Sequence, residues 1–339
     1  MNNKKELLKK YYCESPFTYS EIHQTYQSLC CPYWNTTDIK KTDNLLTNWN
    51  SDKAVEIRKS MLDGTWKNCT EFCPHLDQLL KDGKPQKYPT TPIRPIEEFN
   101  LDNYKGPKKI KLCFDHSCNL KCPSCRHELI PNSDAFAKIS KKFFDSINRD
   151  ISFSVEEIFT SGTGDPFYSK PMREFLESID TQKFPKLKSI IIHTNGILWT
   201  PKIWEKMYKI HPMVTQCEIS IDAATEATYK KIRVNGKWDV LLNNLKYINT
   251  LPTLELINLS FVVQKDNYKE MEQFITLMSS IFTNKKYKII FYKIADWGVM
   301  SKKEFLDKKV WDPNHENYED FQLEAGKLRN YKNLMYNFH

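Results

Sequence analysis

From residue 109 to 294, apolar runs alternate with helix-like stretches, and no other feature limits the fold as strongly. The run "KIKLCFD" alternates Ile110, Leu112 and Phe114 with polar neighbours. The stretches "VEEIFTSG", "LKSIIIHTNG", "TQCEISIDA", "LELINLSFVVQ" and "YKIIFYKI" follow as β-branched or apolar runs. Helical patterns such as "KEMEQFITLMSSIF" separate them. Strands and helices taken in turn predict an α/β fold of parallel strands with right-handed crossovers. Six strands can be counted, too few for a full eight-stranded barrel.

The first of these strands runs into "LCFDHSCNLKCPSCRHE", which sets Cys118, Cys122 and Cys125 in a C-x3-C-x2-C array. Clustered cysteines in a reducing compartment point to metal or redox chemistry rather than to disulfides. Three thiols leave three readings open. A zinc ion needs a fourth ligand, for which His116 or His127 is near in sequence. A ferredoxin-type cluster needs a distant fourth cysteine. A 4Fe–4S cluster with one iron left open needs no further thiol.

The array, on a loop after a strand, resembles the signature of the radical S-adenosylmethionine (radical SAM) enzymes. The resemblance implies a cluster whose open iron is chelated by the amino and carboxylate groups of SAM. Ser124 departs from the aromatic residue the family often has before its last cysteine. The fold implied is a partial (β/α)6 TIM-type barrel, in agreement with the strand count. Functional residues of such barrels lie at the carboxyl ends of strands. Glycine is scarce, with 9 in the chain, yet Gly162 and Gly164 share one strand-end loop, "TSGTGDPF". This loop resembles the family's GGE-type motif for the SAM amino group, with Asp165 in place of the glutamate. Gly162, Thr163, Gly164 and Asp165 are therefore candidate cofactor residues. So are Asn195 in "HTNG", and Ser220 and Asp222 in "SIDAATEATYKKIR". Arg233 suits the SAM carboxylate through a bidentate fork. The wording around it, with Asn267 near a later helix start, resembles the SPASM-associated branch.

The front of the chain holds a second cysteine group: Cys13, Cys30, Cys31, Cys69 and Cys73. Between them, "WNSDKAVEIRKSMLDG" predicts a helix capped by Ser51, with Ala54, Ile57 and Met61 on one face and Gly64 as its stop. This arrangement resembles a SPASM/twitch-type module for an auxiliary 4Fe–4S cluster, placed before the barrel rather than after it. Thr25 departs from a family glycine. The expected ligands are Cys13, Cys30, Cys69 and Cys73, with Cys31 the alternative to Cys30 and zinc the alternative to iron. Cys113 and Cys217 are expected to pack inside strands.

The domain division expected is 1–76 as auxiliary module, 77–108 as extended linker, 109–294 as barrel and 295–339 as a covering segment. Net charge is +8, but the lysines are scattered, so nucleic-acid binding is not indicated. No run of about 18 apolar residues predicts a membrane span, and "MNNKKELLKKYYCESPF" lacks a signal-peptide core. A cytoplasmic enzyme is expected. The resemblance implies SAM cleavage to a 5′-deoxyadenosyl radical, hydrogen abstraction from a peptide or small metabolite such as a sugar, and a reducing partner such as flavodoxin or ferredoxin. Only twelve residues precede Cys13, which mildly favours a small molecule or a separately presented peptide. The competing class is a non-catalytic electron carrier or zinc scaffold.

Overall fold

The computed structural model describes every residue except 1, 33, 36–38, 41–42, 87–90, 337 and 339. The chain divides into two compact units. One comprises residues 1–115, 139–162 and 179–189; the other comprises 116–138, 163–178 and 190–339.

The first unit holds β1 (Tyr11–Cys13), β2 (Tyr19–Ile22), β3 (Tyr26–Ser28), β4 (Ile39–Lys40), β5 (Ile93–Pro95), β6 (Lys109–Leu112) and β7 (Glu157–Phe159). β6 and β7 are the first two expected strands, and they run parallel with Ile110 opposite Ile158. On the other side of β6 lies β2, also parallel, with Ile22 opposite Leu112. Nothing in "TYSEIH" announced that strand, because it is short and its partner lies far along the chain. β3 and β4 continue from β2 in antiparallel fashion. Within the segment expected to be an extended linker, the helix Pro74–Asp82 ends at left-handed Gly83, and β5 pairs antiparallel with β1. Residues 87–90 of that segment lie outside the described residues.

The helix expected before Cys69 is present as Asp52–Leu62. Ser51 Oγ accepts from Ala54 N, and Ala54, Ile57 and Met61 are buried. Gly64 takes φ +74, where a side chain would also meet Lys9, so only glycine fits this stop. Met61 packs with Leu8, Tyr12, Phe17, Trp66, Leu76, Leu79 and Ile93 in one apolar cluster. Each such side chain contributes about 1.5–3 kcal/mol when withdrawn from water.

The second unit is built on five parallel strands in the order β8 (Ser189–Thr194), β9 (Gln216–Ser220), β10 (Leu256–Val263), β11 (Lys286–Lys293) and β12 (Leu334–Tyr336). Four of them were expected; β12 adds to the β11 edge, with Ile290 opposite Met335. Alternate residues are fully buried, among them Ile190, Ile192, Cys217, Ile219, Ile257 and Leu259. The helices Trp238–Thr250 and Met271–Ile281 bury Leu241, Leu245, Phe274 and Met278. All six expected strands are present, in a mixed α/β fold with parallel pairing. Among the described residues, no helix is long and apolar enough to cross a membrane.

Candidate functional site

The cysteine loop of the second unit is irregular, and its turns are closed by hydrogen bonds at the cysteines. Cys118 N donates to Ile130 O, while Cys125 N and Arg126 N both donate to Cys122 O at 2.9 and 3.1 Å. Each of the three sulfurs has an N–H group aimed at it. Leu120 N lies 3.4 Å and Asn195 Nδ2 3.7 Å from Cys118 Sγ. Arg233 Nη1 lies 3.6 Å from Cys122 Sγ, and Arg126 Nη2 lies 3.4 Å from Cys125 Sγ. Cys118 and Cys122 are buried and Cys125 is exposed. Burial pushes the Cys118 thiol up to about 12, and Cys122 up as well. Such thiols become thiolates when a metal supplies the compensating charge.

Asp165, Asn195 and Thr163 are brought to the same loop, though not all present free groups. Asp165 is buried, and both its oxygens are taken. Oδ2 accepts from Thr194 Oγ1 at 2.7 Å and from Asn195 N at 2.8 Å; Oδ1 accepts from Phe167 N and Tyr168 N. Its own N–H donates to Ser117 O, so Asp165 ties the loop after β8 to the cysteine loop. Asn195 donates to Asn119 Oδ1 at 2.9 Å as well as towards Cys118. Thr163 O accepts from Arg126 Nη2 at 2.8 Å. Gly164 lies in the same turn. Gly162 belongs to the first unit, where a Cβ would stand 2.6 Å from Cys113 Sγ; that sulfur explains the glycine. The Ser220 hydroxyl sits between His193 Nε2 at 3.1 Å and Ser260 Oγ at 3.0 Å.

Asp222 follows β9 in the left-handed region, with φ 65, a strained place for a residue other than glycine. Three bonds hold it there. Its Oδ1 accepts from Val262 N, its carbonyl from Asn267 Nδ2, and its Oδ2 pairs with Arg233 Nη2 at 2.7 Å. Burial works against the Arg233 charge, but Asp222 and Cys122 more than offset it and keep the guanidinium protonated. The expected bidentate fork is thus partly spent inside the protein. What remains is Arg233 Nε, a buried donor with no partner among the described residues. A buried guanidinium nitrogen left this way costs on the order of 1–3 kcal/mol or more. The unsatisfied donor beside three donor-lined sulfurs fits a missing anionic ligand.

A protein-family model described as the radical SAM superfamily matches residues 114–278. The match spans 165 of the 339 residues. The match begins just before the cysteine loop and takes in the ends of β8, β9 and β10. Among solved structures, the chain is similar to TYW1 with a lysine-pyruvate adduct bound, at 16% identity and a TM-score of 0.40, over 65% of this chain and 72% of that one. It is also similar to methylornithine synthase (PylB), at 13% identity and a TM-score of 0.36, over 67% and 70% of the two chains. For BtrN in complex with AdoMet and 2-DOIA, identity is 17% and the TM-score 0.25, over 43% and 63%. Comparison with curated proteins gave no significant match.

One cysteine set lies within the matched residues; the other lies in the first unit. Cys13, Cys30, Cys69 and Cys73 line one small cavity with Trp34, Trp66, Ile57 and Met61. Cys31 does not line it. The delivery is local: Cys69 N donates to Trp66 O in the turn after the helix Asp52–Leu62, and Cys73 caps the helix Pro74–Asp82. Burial pushes the Cys13 thiol up to about 11, and Cys30, Cys69 and Cys73 up too. The Trp66 indole N–H is buried without a partner among the described residues. Four thiols and an orphaned donor around one cavity fit a metal centre with acceptor atoms of its own.

Sequence reasoning missed Arg126. It clamps His116 O and Thr163 O and reaches the Cys125 sulfur. Its signal was its place directly after the last cysteine. Cys217 is buried within β9, as expected of a packing residue.

Proposed function

We propose that this protein is a radical SAM enzyme of the SPASM/twitch-associated branch, with a partial barrel and an auxiliary cluster in residues 1–76. Cys118, Cys122 and Cys125 would hold a SAM-binding 4Fe–4S cluster, and Cys13, Cys30, Cys69 and Cys73 a second one. When bound, the first cluster supplies the electron that cleaves SAM to methionine and a 5′-deoxyadenosyl radical. The protein's own groups bind and orient. Arg233 Nε offers its remaining donor to the SAM carboxylate, while Asp222 fixes the guanidinium plane and keeps it charged. The Ser220 hydroxyl can exchange its protein partners for a ribose hydroxyl. Asp165 positions rather than touches: it holds the backbone of Asn195 and the turn 163–165 against the cysteine loop. The residues directly before it, Thr163 and Gly164, supply backbone for the SAM amino group. A hydrogen atom would then be taken from a peptide or small metabolite, with the auxiliary cluster as electron acceptor or substrate anchor. A flavodoxin or ferredoxin in the cytoplasm would be the electron source.

The supporting observation is the conjunction at one loop: three sulfurs each met by an N–H donor, beside a buried guanidinium with an unspent nitrogen. The test is anaerobic reconstitution, followed by dithionite and SAM without substrate. Slow 5′-deoxyadenosine formation is expected, with about eight irons per chain. Stoichiometric zinc without iron, and no SAM binding, would leave the scaffold reading in place instead.

A further inference from the structure

A third set of metal-ligating side chains stands where β2 and β6 run side by side. Glu21 is in β2, His23 follows it by one residue, and Cys113 follows β6 directly. The parallel register sets Ile22 opposite Leu112, and Cys113 N donates to Ile22 O at 2.8 Å, so the three side chains meet at one strand end. His23 Nε2 lies 3.0 Å from Glu21 Oε1, and Cys113 Sγ lies 3.4 Å from the same oxygen. All three ligand atoms lie within 4.8 Å of one another. Tetrahedral zinc, at its usual bond lengths, would separate nitrogen from oxygen by about 3.3 Å and sulfur from oxygen by about 3.5 Å. The spacing found is close to that.

The surroundings are arranged around this use of Oε1. The other Glu21 oxygen is occupied: Tyr19 Oη donates to Oε2 at 2.7 Å, and Lys111 Nζ lies 3.6 Å from it. Outer contacts of this kind fix a ligating carboxylate and leave one oxygen for the metal. The His23 ring is oriented by stacking on Tyr26, with centroids 4.1 Å apart. On the sulfur side, Gly162 keeps clear the space that a Cβ would fill 2.6 Å from Cys113 Sγ. Cys31 is near enough to act electrostatically on Cys113 and Lys111, but it is not one of the three meeting atoms.

We propose that Glu21 Oε1, His23 Nε2 and Cys113 Sγ form a mononuclear zinc site, distinct from the iron–sulfur positions, with its fourth coordination place open to water or a substrate oxygen. One imidazole, one carboxylate and one thiolate form the borderline donor set that zinc accepts, and three protein ligands leave the ion reactive. On binding, the Cys113 thiol proton leaves to solvent. The two anionic ligands then balance the divalent charge, while Lys111 stays paired with Oε2.

The test uses full-length protein reconstituted anaerobically with iron and sulfide, then titrated with Zn2+ and stripped of unbound ion. About one zinc per chain should be gained with no loss of iron. Glu21→Gln, His23→Asn and Cys113→Ser should each weaken zinc binding by about 100-fold or more while iron content holds. Cys31→Ser should change neither. Because a variant can fail to fold, zinc X-ray absorption on the unmodified protein supplies an independent reading. One sulfur and the rest nitrogen or oxygen neighbours are expected. Three or four sulfurs, zinc gained only as iron is lost, zinc retained in Cys113→Ser, or no zinc at all would overturn the proposal.

Discussion

The two cysteine sets are built differently. Around Cys118, Cys122 and Cys125 the protein places donors: a backbone N–H, the Asn195 amide and the guanidinium groups of Arg126 and Arg233. Around Cys13, Cys30, Cys69 and Cys73 the walls are mostly apolar, with Trp34, Trp66, Ile57, Met61 and Ile93, while Ser15 donates to Cys13 and the His75 and Leu76 backbone to Cys73. The first set supplies three thiols and leaves an arginine donor unspent beside them. The second supplies four thiols in a small, mostly apolar cavity. An open site needs neighbours that will hold an incoming charged ligand, whereas a closed site needs only to be packed. The contrast is what a division between a reactive centre and a resident one would require.

The largest effect should come from replacing Cys118, Cys122 and Cys125 together by alanine. Iron should fall from about eight to about four per chain, and 5′-deoxyadenosine formation should drop to background. If iron fell to nothing, the two sets would not be independent centres, and the comparison would break.

Next comes Cys69→Ala, which opens the closed set. SAM cleavage should persist while substrate turnover is lost, because the loop cysteines are untouched. Soluble variant protein with full product formation would rule out a role for the cavity set in turnover. Insoluble protein would instead mark the metal there as folding energy.

Arg233→Ala should weaken SAM binding by roughly 10-fold or more. It should also cost about 3–5 kcal/mol of stability by stranding the buried Asp222 carboxylate. The paired change Asp222→Leu with Arg233→Met separates these effects: thermal stability should recover and SAM binding should not. Recovery of both, followed by calorimetry, would mean that Arg233 serves only the fold.

The smallest change is Trp66→Phe, which removes the unpaired N–H from the cavity and little else. Iron content should hold, and the cavity centre's reduction potential should move slightly negative, since hydrogen bonds to cluster sulfurs help set it. An unchanged potential by redox titration would mean that the indole does not face the metal centre.

The parts legible in the sequence were those written over a short span. The six strands announced themselves through runs such as "SIIIHT" and "LINLSFVV", and the helix Asp52–Leu62 through its cap, its apolar face and its glycine stop. The preference for Cys30 over Cys31 as a ligand rested on spacing alone; Cys30 lines the cavity and Cys31 does not. What could not be read were pairings across distance. β2 and β12 are short strands whose partners lie far along the chain or at its end. Glu21 and Cys113 are 92 positions apart, so no local pattern brings them together. Nor could the sequence show that the Arg233 fork is largely spent on Asp222 and Cys122, because that depends on which donors the fold uses first.

The parallel pairing of β2 with β6 also sets an order of events during synthesis. Ile22 waits for Leu112, its partner in register, while the intervening chain is made. At ribosomal speeds of about 5–20 residues per second, that wait lasts roughly 5–20 s. All four cavity cysteines have been made before β6 exists. For that interval β3 and β4 can cover one side of β2, while its other edge stays open to the first strand that fits it. The nascent chain therefore has all four cavity cysteines in place before the strand that leads into the second cysteine loop has been translated.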